Sequence, residues 1–190
     1  MYRTIKKQAV GAAVGGPLNL LLSGFSGQGV VAVDDIVRAI DRVPSFHLAG
    51  LREIVYLPDY APPASVVPCT GSTRSEPMGE FVQRERRIFV YRLNFPDVFF
   101  HMLHHEIGHF VFFLVLGSRV KKRWVTEIFP GSRCVTGYAA VSPWEDFAET
   151  YAYYLLQRDI LKSELPQKLA FMRDCVFSGR PDSLKQSDRE

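Results

Sequence analysis

The chain has 190 residues, 47% of them hydrophobic and 13% aromatic, with a net charge of +3. That balance excludes a disordered chain and suits one globular domain with a full core. The basic runs Lys121-Lys122-Arg123 and Arg84-Glu85-Arg86-Arg87 are too short for a nucleic-acid footprint, and Cys69, Cys134 and Cys175 make neither a disulfide framework nor a CxxC zinc knuckle.

Residues 1–7 are basic and 8–23 small and apolar, the outline of an export signal. Gly15-Gly16-Pro17 breaks that run and no A-x-A cleavage site follows, so a flexible arm or a first packed helix competes with it. Residues 1–30 are therefore set apart, with a lean toward a soluble, exported bacterial protein. Residues 33–43 carry Ile36, Val37 and Ile40 between charges and predict an amphipathic helix. The β-branched and aromatic runs 51–57 and 87–93 predict strands, and 58–80, rich in Pro, Ser and Gly, predicts mostly loop. Residues 94–117 predict a long apolar helix with Pro96 in its first turn. A short mixed segment over 118–136 precedes a helix over 142–161 and a weaker one over 166–177. The domain proper spans 31–177, and 178–190 is a polar, frayed tail. Strands followed by packed helices give an α+β fold.

The stretch 98–116 is nearly long enough to cross a membrane. Its His101, His104, His105, Glu106 and His109 are costly in lipid, and no other span could shield them. It reads as the central buried helix of a soluble domain.

Inside that helix stands His105-Glu106-Ile107-Gly108-His109, the pattern H-E-x-x-H. Residues four apart share a helix face, so the two imidazoles converge as Zn²⁺ requires, and Glu106 can reach water at the metal. Zinc makes water nucleophilic near neutral pH, and Glu106 is the expected general base and acid for peptide hydrolysis. His104 lies about 100° round the helix from His105 and reads as a core or supporting residue; His47 reads as structural or exposed.

No histidine follows His109, so the third ligand must be a carboxylate or, less favourably, Cys134 or Cys175. Glu145 and Glu149 share a face at the start of the next helix. Glu145 also fits a capping box with Ser142 as N-cap and Pro143 at N1, which needs no metal. Asp146 and Glu149 are candidate partners for the far nitrogens of His105 and His109. Tyr138, Arg133 and Lys121 are candidate donors to the oxyanion. An extended peptide is expected to lie along the 51–57 strand, read as a sheet edge.

H-E-x-G-H followed some thirty residues later by Tyr138-x₆-Glu145-x-Phe147-Ala148-Glu149 resembles the gluzincin metallopeptidases related to the anthrax lethal factor catalytic domain. It is also similar to bacterial zinc metallopeptidases with a W-E-D-F-A-E helix. The resemblance implies a minimal zincin-like domain, a small mixed sheet packed on the H-E-x-x-H helix and a second, glutamate-bearing helix. It implies one zinc held by His105, His109 and Glu145, with Tyr138 turned into the site and Glu149 orienting a ligand histidine. The expected activity is zinc endopeptidase on a peptide or protein substrate. Residues 1–50 and 58–80 match nothing in the family, so substrate preference does not transfer. The competing reading is a catalytically inactive, zinc-binding interaction module. A monomer without nucleic-acid partners is favoured.

Overall fold

The computed structural model describes residues 3–7, 18–60 and 77–179. Cys69, most of the 58–80 loop, the 8–17 run and the tail from 180 lie outside the described residues. The fold is α+β, as expected. A five-stranded mixed sheet has the order β1-β2-β3-β5-β4. Its strands are β1 (Arg3–Lys7), β2 (Leu18–Ser23), β3 (Glu53–Tyr56), β4 (Gly79–Val82) and β5 (Arg87–Val90). β2, β3 and β5 run parallel, while β1 and β4 pair antiparallel on the two edges.

The segment 18–23, read from sequence as arm, signal or helix, is thus a sheet strand. Leu20 and Leu22 alternate into the core, and the chain returns through helix α1 (Val33–Asp41) to β3. Gly24 at the end of β2 has φ +79°, and a Cβ there would stand 2.1 Å from the Tyr56 carbonyl oxygen, so only glycine fits. A second correction concerns β3, which is internal between β2 and β5 and offers no edge to a peptide. The outer strand on that side is β4, whose first two residues, Gly79 and Glu80, fell in the expected loop.

Helix α2 (Pro96–Phe110) begins with Pro96 at its first position and continues through a π-helical turn, Val111–Val115. Phe99, Leu103 and Phe110 on α2 are at most 1% exposed, and they join Ile54, Ile88 and Val90 of the sheet in one core. Pro96–Val115 is long and apolar enough to cross a membrane, yet 72% of that stretch is buried inside the protein. After α3 (Ser118–Arg123) and its π-helical extension Trp124–Ile128 come α4 (Pro143–Leu156), α5 (Arg158–Glu164) and α6 (Pro166–Phe171). The single helix expected over 142–161 is broken at Gln157, which leaves helical geometry at φ −140° and ψ 49°.

Candidate metal centre

Two helices build the site. α2 turns His101, His105 and His109 along one face at four-residue intervals, and α4 brings Glu145 and Glu149 to meet them. The helices touch at Gly108, where a Cβ would come within 2.9 Å of Ala148 Cα. Glycine at this position therefore sets how near the carboxylates come to the imidazoles. α4 is fixed at its start by Ser142, whose Oγ accepts from the Glu145 N–H at 3.2 Å, and by Trp124 Nε1, which donates to the Pro143 carbonyl at 2.8 Å. Ser142 thus caps the helix through the Glu145 backbone N–H, which leaves the Glu145 side chain to turn inward as a candidate ligand.

His105 Nε2 and His109 Nε2 lie 3.1 and 3.2 Å from Glu145 Oε2. That oxygen is buried but takes part in no aligned hydrogen bond. The three atoms therefore converge without being directed at one another. Ligand atoms of all three residues lie within 4.8 Å of one another, a group that could hold a metal ion. A tetrahedral zinc with bonds of about 2.0–2.1 Å has edges of roughly 3.3 Å, so the residues present fit that ion. Cys134 and Cys175 are outside this group.

Glu149 stands behind the trio. Its Oε1 is 2.8 Å from His105 Nδ1 and 3.0 Å from His101 Nε2, while its Oε2 accepts from Thr136 Oγ1 at 2.9 Å. A carboxylate on Nδ1 fixes the ring's orientation and leaves Nε2 for the metal. Thr136 Oγ1 also accepts from the Ala139 N–H, tying the Ala139–Val141 turn to Glu149. Tyr138, just before that turn, has its ring 5.7 Å from the His105 ring and is 37% exposed.

The charges reinforce one another. Burial would lower the His105 pKa, but contacts with Glu145 and Glu149 and the charge of Glu106 outweigh it and hold the imidazole at about 10. Burial would likewise raise Glu145, and the two histidines instead hold it at about 2. Glu149 is held below the usual carboxylate range by His101 and His105, again against burial. An anionic pocket that retains a proton this firmly is one in which a dication can take the proton's place.

Glu106 is buried, and its Oε2 accepts the Phe81 N–H of β4 at 2.8 Å. The outer strand of the sheet and the candidate general base are therefore joined directly.

A family model described as "Putative zinc-binding metallo-peptidase" matches residues 130–180. The matched stretch carries Tyr138, Glu145 and Glu149. It stops short of the 105–109 motif, which α2 supplies from outside it. No curated protein matches the chain.

Asp146 departs from expectation. It accepts from Lys168 Nζ at 2.5 Å, with both side chains fully buried, rather than from a ligand histidine. One residue past Glu145, its side chain points to the other side of α4, toward α6. His109 Nδ1 accordingly has no hydrogen-bond partner among the described residues. Of the other oxyanion candidates, Lys121 donates to the Phe113 carbonyl at 3.1 Å and Arg133 is solvent-exposed. His104 is a core residue bonded to the Phe100 carbonyl, and His47 is fully buried between Tyr151 and Val176. Sequence reasoning missed His101, Thr136 and the Phe81 N–H. Only His101 left a signal there, being one turn before His105 on the same face.

Proposed function

We propose that this chain is a zinc metalloendopeptidase of the gluzincin type, with His105, His109 and Glu145 holding the metal. The observation that carries the reading is the convergence of those three ligand atoms beside a buried, backbone-anchored Glu106. When bound, zinc supplies Lewis-acid chemistry that makes water nucleophilic near neutral pH and polarises the scissile carbonyl. Glu106 accepts the proton of the attacking water and passes it to the leaving amine. Glu149 keeps the His105 ring in register through Nδ1, and Thr136 keeps Glu149 in place. The Tyr138 hydroxyl donates to the oxyanion as it forms, a role its position beside His105 supports.

The peptide lies extended along β4. The Phe81 N–H, turned away from β5 toward Glu106, marks the outward side of that strand. Strand addition there brings the scissile bond to the base.

Glu106→Gln tests the proposal, since it keeps the shape and the Phe81 hydrogen bond but removes the base. Turnover of an unstructured protein substrate should fall by about 10²–10⁴-fold with zinc content unchanged. A wild type no more active than Glu106→Gln, with zinc bound in both, would favour the interaction module instead.

A further inference from the structure

β4 and α2 run side by side and in the same direction. A Cβ on Gly79 would stand 2.7 Å from Met102 Sδ, and two residues further along the strand the Phe81 N–H reaches Glu106. Two residues of strand advance about 6.6 Å, and the helix from Met102 to Glu106 advances about 6 Å, so the two elements stay in step. Antiparallel pairing is the more stable ladder. A peptide added to β4 in that sense runs against strand and helix alike. Its residues after the scissile bond therefore head back toward the start of α2.

What they meet there is Val98. At about 100° per residue, Val98 points within about 20° of both His105 and His109, so it continues the line of the candidate ligands. Val98 is 43% exposed, and Phe95, three residues before it and offset toward the Met102 side, is 68% exposed. Neither side chain belongs to the core. Phe95 also stands at the N-cap of α2, a position that favours a side-chain oxygen, and makes no side-chain cap there. The fold therefore gives no reason for an aromatic ring at 95. A single exposed apolar residue is ordinary, but two adjacent ones in line with a metal centre form a patch that a bound chain would cover.

Distance sets which part of that chain arrives. Val98 lies about 12 Å along the helix before Glu106, and Phe95 about 16 Å. An extended peptide covers those lengths in roughly four and five residues.

We infer that Val98 and Phe95 form an apolar subsite for the substrate, filled by a large aliphatic or aromatic side chain four or five residues after the scissile bond. This deepens the peptidase reading and rests on it for the course of the peptide along β4.

Fluorescence anisotropy with zinc-loaded Glu106→Gln, which lacks the base, tests the subsite by binding alone. The probe is a labelled peptide of about twelve residues of Ser, Thr and Gly with Leu-Leu near its C-terminus. It is compared with the same peptide carrying Ser-Ser there and with one carrying Leu-Leu near its N-terminus. The C-terminal Leu-Leu peptide should bind at least about tenfold more tightly than the Ser-Ser peptide and more tightly than its N-terminal counterpart. That gain should vanish when Phe95→Ser and Val98→Ser are added together, both being changes at exposed residues. Equal affinity for Leu-Leu and Ser-Ser, binding of neither, a gain that survives the double substitution, or an N-terminal Leu-Leu that binds as well would each overturn the subsite. A wild type that leaves the Leu-Leu peptide uncut while the gain is present would count against the peptidase reading and leave the subsite standing.

Discussion

His47 and His105 are both buried, both pack against α4, and both have each ring nitrogen near a polar atom, yet their surroundings drive them in opposite directions. His47 meets only neutral groups, the Tyr151 hydroxyl at 2.8 Å and the Val176 carbonyl at 3.0 Å, and burial takes its pKa down to about 4. His105 meets two carboxylates, and they carry it up to about 10 against the same burial. A histidine between neutral partners is a neutral cross-link. One between carboxylates, with a second histidine's Nε2 at the same oxygen, belongs to a cation site. Burial alone does not tell the two apart; the charge of the partners does.

The largest effect expected from this contrast is on stability at low pH. With the folded-state pKa of His47 depressed, the unfolded chain takes up the proton below about pH 6.5 while the native chain resists it until about pH 4. The stability this gives is therefore complete above pH 6.5 and is lost as pH falls from 6.5 to 4, by up to about 1.4 kcal/mol per pH unit and about 3 kcal/mol in all. Urea melts of wild type and His47→Gln across that window check it: the difference between the two should shrink as pH falls, and parallel curves would break the comparison.

Next is the carboxylate on His105. Glu149→Gln keeps a hydrogen bond to Nδ1 but removes the charge, and zinc affinity should drop by about 10–100-fold, read by competition with a chelator. An unchanged affinity would mean that the charge behind His105 does not distinguish it from His47. The smallest effect belongs to Thr136→Val, which removes the hydroxyl holding Glu149 Oε2 and should cost roughly threefold in zinc affinity. The same competition measures it.

Where a single segment carries the information, the sequence is legible. The helix over 33–43, the strands over 51–57 and 87–93 and the long helix from Pro96 follow from periodicity and composition, and each has its counterpart. Histidines and glutamates at four-residue spacing reach the right faces of α2 and α4 for the same reason. What could not be read depends on a distant partner. β4 contains Gly79 and Glu80, poor strand formers; it exists because β5 pairs with it and α2 supports it, with Gly79 against Met102 and Phe81 against Phe110. Asp146 finds Lys168 across 22 residues of chain, a pairing no local pattern announces. β2 lay hidden in a run of small apolar residues that helix, signal and strand all share. No glycine or proline marks the break at Gln157, and nothing in the structure explains it.

Elemental analysis of purified protein, comparing wild type with His109→Ala and Glu145→Ala, bears most directly on the metal centre. One zinc per chain in the wild type, lost in both variants, is the predicted result. Zinc retained by Glu145→Ala, or none in the wild type after reconstitution, would contradict the assignment of Oε2 of Glu145 as the third ligand atom.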